Sequence, residues 1–277
     1  MLVFFCSICY IYTITYRIAP MAIIAKIDLV KSLCREAGDL LQAAFNKTVP
    51  SKSKQVTKLP EIEMRLLYLV AAFIQKNFPG DRLYGQDETA DFKGNVWVCD
   101  PVDGSYFFTH GIPLYTFSLS LLKDGKPVLT AIYQPVGDRM YEAEKGKGAS
   151  LNGRKLVISS ANHSLEKRLV ILSSNQGMNL GNLYNDLLKL GSKTIVTYSS
   201  IQHGAYVATG EVSALIIGLS KIQDMAPVAL IVTEAGGVVT DLHGNKLDIF
   251  GQGSHGMIAT SPNLFSQIQT TVSRSLT

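Results

Sequence analysis

Cysteine is scarce in this 277-residue chain, and its four copies, Cys6, Cys9, Cys34 and Cys99, do not form a disulfide framework. Cys6 and Cys9 make a single CxxC with no second pair at zinc-finger spacing. Reduced thiols in a cytoplasmic protein are therefore expected, with Cys99 acting as a small buried hydrophobe. The five histidines, His110, His163, His203, His243 and His255, are scattered without ligand spacing and read as surface or packing residues. Charge is also thin, at 17% of residues and a net +4, with no Lys/Arg run longer than scattered pairs. That excludes a nucleic-acid groove and makes any anionic ligand depend on a local site.

Residues 1–20 are apolar but are interrupted by Arg17, short of the roughly twenty residues a spanning helix needs. They also lack the basic segment that opens a secretory signal. The expectation is an over-extended start with Met21 as the working initiator and no stable membrane association; a membrane anchor is the alternative.

Apolar residues are abundant, at 47%, which argues for a packed globular protein of one large domain or two closely joined halves. Three-and-four spacing of Ile23, Ile27, Val30, Leu33, Ala37, Leu40, Leu41 and Ala44 predicts a helix over 22–46. A second helix is predicted over 62–77, with a polar loop over 48–59 between them. Strands are predicted at 83–84, 96–99, 115–122, 127–134 and 139–143, with Lys123-Asp124-Gly125-Lys126 as a hairpin turn. After about residue 165, β and α segments alternate: strands at 169–173, 194–198, 214–217 and 238–241, and helices at 183–190, 201–209 and 224–234. The expected organisation is an apolar extension (1–20), an α+β half (21–165) and an α/β half (166–277) packed as layers.

The stretch Cys99-Asp100-Pro101-Val102-Asp103-Gly104-Ser105 ends the apolar run Val96-Trp97-Val98 with two carboxylates around a proline. Proline fixes its own φ and holds Asp100 extended, and Gly104 permits a sharp bend. If Asp100 and Asp103 converge, they repel, and one takes up a proton unless a cation sits between them. A hard divalent ion with oxygen ligands, magnesium first, suits such a pair. The alternative is an ordinary turn with two exposed aspartates.

Two further segments bear on that choice. Asp224 precedes an apolar helical run and reads as its N-cap, with Pro227 in the first turn; a metal bond can coexist with that role. Gly85-Gln86-Asp87-Glu88-Thr89 ends the preceding short strand in two acids, which are either solvated loop or part of the same cluster.

These residues carry a family resemblance. Asp-Pro-Val-Asp-Gly-Ser resembles the DP(I/L)DG(T/S) signature of the inositol monophosphatase superfamily, the lithium-sensitive, magnesium-dependent phosphatases. Gln-Asp-Glu-Thr is similar to its acidic (G/S/T)EE(S/T) element. Asp224-Met225-Ala226 with Glu234-Ala235-Gly236-Gly237 is similar to its WDxAA…EAGG segment. Gly125-Lys126-Pro127-Val128, Tyr133-Gln134-Pro135, Gly146-Lys147-Gly148-Ala149 and Asn152-Gly153 run parallel, so the likeness covers nearly everything from Met21 onward.

The resemblance implies a layered αβαβα sandwich, in which two or three magnesium ions bind a small phosphate monoester and a metal-activated water attacks phosphorus in line. It implies that Asp100 bridges two ions, with the Val102 carbonyl and an acid from Asp87 or Glu88 completing the first site, and Asp103 and Asp224 holding the second. Ser105 would orient the attacking water together with that acid, while Gly104 and Ser105 offer backbone N–H groups to the phosphate. Ser199 and Asp224 would line the substrate side. Replacing Asp103 by Asn is expected to abolish activity and leave the fold intact.

Departures from the family fall nearby. Gln223 replaces the tryptophan before Asp224, and Thr57-Lys58-Leu59-Pro60-Glu61 leaves the acid of the third ion missing or displaced to Glu61. Ile217 stands where inositol-cleaving members carry a glutamate. Ser199-Ser200-Ile201-Gln202 is faintly similar to the GSSLK element of 3'(2'),5'-bisphosphate nucleotidases, with Tyr198 in place of its glycine. Such a nucleotidase, or a weakened pseudoenzyme with a binding role, is the alternative function. The family commonly forms homodimers.

Overall fold

The structure, a computed structural model, describes residues 23–48, 59–84, 92–159, 161, 163–173, 178–250 and 256–276. Helices α1 (Ile23–Thr48) and α2 (Leu59–Asn77) cover one face of a seven-stranded sheet. Its strands, in spatial and chain order, are β1 (Arg82–Leu83), β2 (Asn95–Asp103), β3 (Thr116–Lys123), β4 (Lys126–Gln134), β5 (Arg139–Glu144), β6 (Gly148–Leu151) and β7 (Arg154–Leu156). All neighbours pair antiparallel except β1 and β2, which are parallel.

Side-chain alternation divides this sheet between two cores. Trp97 and Cys99 of β2 and Phe117, Leu119 and Leu121 of β3 face the helices, whereas Val98 and Leu122 face the middle of the molecule. Full burial of such side chains is worth about 1.5–3 kcal/mol each. The Trp97 indole N–H keeps a partner, donating to Asp81 Oδ2 at 2.9 Å.

A second sheet, in the order β11-β12-β10-β8-β9, is built from β8 (Leu169–Ser173), β9 (Lys193–Thr197), β10 (Ala214–Ile217), β11 (Val238–Thr240) and β12 (Met257–Thr260). β8, β9 and β10 run parallel, while β12 is antiparallel to both of its neighbours. Helices α5 (Ser200–Thr209) and α6 (Ile222–Glu234) lie between the sheets, and α4 (Leu180–Lys189) and α7 (Pro262–Ser273) cover the far side. The stack is thus a layered αβαβα sandwich. Alternation sorts β10 cleanly: Ala214 and Ile216 face the outer helices, and Leu215 and Ile217 face the middle layer.

Several local expectations are corrected. The DPVD stretch is not a turn after the strand but part of β2, with a register shift between Asp100 and Asp103. Asp100 opposes Ser118 and Asp103 opposes Thr116, so one extra residue bulges there. Among the described residues β1 pairs with Val96 and Trp97 and not with Pro101, an edge setting in which a strand tolerates proline. Helix α6 starts two residues before Asp224, which occupies its third position rather than the N-cap, and Pro227 falls inside the helix. β12 and α7 follow the last predicted strand, and a short helix α3 (Ser105–Thr109) follows β2; none of the three was among the expected elements, although Leu264, Ile268 and Val272 give α7 a four-residue apolar spacing.

The hairpin between β3 and β4 is as expected, with Asp124 at φ 47° and Gly125 at φ 75°. Cys34 and Cys99 are buried free thiols. Among the described residues, no helix is long and apolar enough to cross a membrane.

Candidate metal and phosphate site

The bulge in β2 decides where its two acids point. An extra residue between Asp100 and Asp103 breaks strict alternation, so both carboxylates reach the same cleft. Gly104 follows at φ 78° and turns the chain into α3. A Cβ there would lie 2.3 Å from the Leu114 carbonyl oxygen, so side chain and backbone both demand glycine.

Asp224 comes from the other side, on the first turn of α6. Its Oδ2 accepts the Ser220 hydroxyl at 2.5 Å and the Lys221 N–H at 3.2 Å, a backward-reaching acid at the third helical position. Ligand oxygens of Asp100, Asp103 and Asp224 all lie within 4.8 Å of one another.

Asp103 is the most constrained of the three, at 5% exposure. Its Oδ2 accepts from Ser199 Oγ at 2.7 Å, Gln202 N at 3.0 Å and Thr116 Oγ1 at 3.2 Å, and its Oδ1 accepts from Ser200 N at 3.0 Å. The carboxylate therefore satisfies the free N–H groups that open α5, which an in-helix partner cannot reach.

Among the described residues, Asp100 accepts one such bond, from Val102 N at 3.0 Å. Burial first, then the charges of Asp224, Asp103 and Glu63, hold its carboxyl well above the usual range. Burial likewise raises Asp224, opposed by the Ser220 hydrogen bond. Without a cation, the cluster favours protonation. A hard divalent ion relieves that repulsion with the all-oxygen donors it prefers, so the residues present fit magnesium.

The cleft, of about 710 Å³, is lined by these three acids together with Val102, Gly104 and Ser105. It also holds Glu63, a residue that motif reading missed in favour of Glu61. Glu63 was findable: it stands three residues before Leu66 and so continues the buried stripe of Leu66, Val70 and Ile74 on α2. Burial raises its carboxyl, and Lys221, also in the cleft, lowers it.

Ser199 is fully buried with its hydroxyl given to Asp103, and it is Ser200 that lines the cleft. Ile217 is fully buried in the middle core. His203 is a packing residue beside the site, its Nδ1 against the Ser199 carbonyl oxygen, and burial lowers its pKa. Gln86, Asp87, Glu88 and His255 lie outside the described residues, as do Thr57 and Lys58.

Comparison with known proteins places this geometry among relatives. A model described as the inositol monophosphatase family matches residues 25–276. A fructose-1,6-bisphosphatase/inositol-1-monophosphatase of Thermotoga maritima is 27% identical over 238 residues, covering 84% of this chain and 92% of that protein. Inositol monophosphatase 2 of Solanum lycopersicum is 29% identical over 239 residues, covering 80% and 89%. The solved structure of a Thermotoga maritima IMPase superposes with a TM-score of 0.80 at 26% identity, over 90% of this chain and 97% of that one.

Proposed function

The chain belongs to the inositol monophosphatase family of phosphoric monoester hydrolases, and we propose that it hydrolyses a small phosphate monoester using magnesium held by Asp100, Asp103 and Asp224. The observation that carries this is the convergence of those three carboxylates in one cleft from two separate elements, β2 and α6.

In this reading the Val102 carbonyl and an acid from Asp87 or Glu88 complete the ligand set. When bound, the cations supply positive charge to the phosphoryl oxygens and acidify a water for attack. Asp103, fixed by four hydrogen bonds, keeps its position as charge changes, which is the preorganisation that electrostatic catalysis needs. Ser105 orients the attacking water together with the Asp87–Glu88 acid, and the Gly104 and Ser105 N–H groups receive the phosphate. Glu63 takes over the acidic role that Pro60 cannot fill, and Lys221 offsets negative charge at the same cleft. A cytoplasmic homodimer is part of the proposal; the buried free thiols of Cys34 and Cys99 suit a reducing compartment.

The test is turnover by purified protein supplied with magnesium, against inositol 1-phosphate, fructose 1,6-bisphosphate and 3'-phosphoadenosine 5'-phosphate. Phosphate release from at least one, abolished by EDTA and restored by magnesium, is expected. A folded protein that releases none from the panel contradicts the proposal.

A further inference from the structure

Exposed large apolar side chains are usually scattered singly. Here two of them, Tyr198 at 54% exposure and Leu219 at 37%, line the same cleft as the three carboxylates. A volume of about 710 Å³ lies in the range of small-molecule sites and leaves room beside a phosphate for the rest of the ester.

Several polar groups of the cleft are already engaged: Ser173 and Ser200 bond each other at 2.9 Å, and the Ser220 hydroxyl and the Lys221 backbone N–H both go to Asp224. Ser105, the Lys221 side chain and Gln223 also line it, and beside these the cleft offers a leaving group an aromatic face and an aliphatic side chain.

Tyr198 is also held at a set distance from the acids. It sits between the end of β9 and Ser199, and the next two residues bind Asp103 through Ser199 Oγ and Ser200 N. Its ring is flanked by Tyr106, with centroids 5.6 Å apart, and Tyr106 in turn lies against His110 at 4.4 Å. A buttressed ring on pinned backbone is a stacking platform.

We propose that Tyr198 is a specificity residue, on whose ring a flat unsaturated group of the leaving alcohol stacks, so that aromatic or heteroaromatic phosphate esters are preferred over saturated ones. The inference rests on the phosphatase reading above and deepens it.

Benzyl phosphate and cyclohexylmethyl phosphate test it, because both release a primary alcohol of similar size and differ in the flatness of the ring. Assayed with magnesium on the full chain, the wild type is expected to favour the benzyl ester in kcat/KM by about threefold to tenfold, the span of a typical aromatic pair. Tyr198→Phe keeps that ratio and Tyr198→Leu brings it close to one. Calorimetry with the corresponding phosphonates, which cannot be hydrolysed, should give the same order of affinities. A wild-type ratio of one or less, or a ratio unchanged in Tyr198→Leu, overturns the proposal while leaving the phosphatase reading in place. Phosphonates that bind with the Tyr198-dependent preference, with no hydrolysis of either ester or of the three-substrate panel above, uphold the stacking site and sink the phosphatase reading. Absence of phosphonate binding, with no turnover of the esters or the panel, overturns the two together.

Discussion

Ser199 donates its hydroxyl to Asp103 Oδ2 over 2.7 Å, tying the start of α5 to the end of β2 across 96 positions of sequence. Asp103 also receives the N–H groups of Ser200 and Gln202, so one carboxylate serves as helix cap, link between layers and candidate metal ligand. Ligand geometry and the seating of α5 are therefore coupled.

That coupling revises the expectation for Asp103→Asn. The amide turns one acceptor into a donor, and a backbone N–H of Ser200 or Gln202 cannot turn away from it. The variant should lose at least 100-fold in activity, as removal of a charged metal ligand implies, and also about 1–3 kcal/mol in stability from the unpaired buried group. Urea denaturation beside initial rates checks this. An Asn variant as stable as wild type would mean the α5 cap does not depend on the carboxylate charge. Ser199→Ala, which leaves both backbone donors paired, should cost roughly 0.5–1.5 kcal/mol.

Gly104→Ala should be costlier than its single methyl suggests. The position has φ 78°, and the added Cβ would approach the Leu114 carbonyl to 2.3 Å. A left-handed non-glycine residue alone costs on the order of 1–3 kcal/mol, before the clash. Relief by backbone movement would shift Asp103 and Ser105 on either side, so activity and denaturation midpoint should fall together. A variant within about 0.5 kcal/mol of wild type, the usual range for surface changes, would contradict the geometry.

The sequence announced the site more clearly than the path to it. The convergence of Asp100, Asp103 and Asp224 was legible through the motifs that resemble the family's; taken alone, the paired acids beside proline and glycine read as a turn, and Asp224 as a helix N-cap. The β2 bulge was not, since proline and glycine signal a turn locally and only pairing with Ser118 and Thr116 keeps the chain in the sheet. The start of α6 moved because Ile222 is drawn into the core and Asp224 can turn back on Lys221 from within the helix. Glu63 was hidden for a different reason: the family motif places its acid at or near Pro60, whereas the helical period brings in the residue one turn before Leu66. The capping role of Asp103 toward α5 is a contact between residues about a hundred apart, and no local pattern carries it.

Ser220 does not line up with any expected ligand, yet its hydroxyl donates to Asp224 Oδ2 at 2.5 Å. It favours the ionised form of an acid that burial otherwise raises. Ser220→Ala should leave the maximal rate at saturating magnesium within about threefold and raise the half-saturating magnesium concentration roughly 10-fold or more, the usual scale for losing a group that orients a metal ligand. A magnesium titration of activity separates the two. Equal loss at all magnesium concentrations would show that Ser220 serves the chemistry or the fold instead.

Asp100→Asn gives the clearest pH signature. In the folded, metal-free protein, burial and then the charges of Asp224, Asp103 and Glu63 raise the Asp100 carboxyl well above its usual value, whereas in the unfolded chain it titrates near 4. Between those two values the native state binds more protons than the unfolded state, so stability falls as pH rises. The fall is complete once pH passes the folded-state pKa. Asparagine carries no such charge. In EDTA, Asp100→Asn should therefore melt above wild type at pH 8, with the gap closing as pH drops toward 4. Magnesium should reverse the order at pH 8, because it stabilises most strongly the protein that keeps all three carboxylates. Differential scanning fluorimetry across this range, with and without magnesium, reads both effects. A gap independent of pH would mean that Asp100 is not the acid whose ionisation strains the empty cluster.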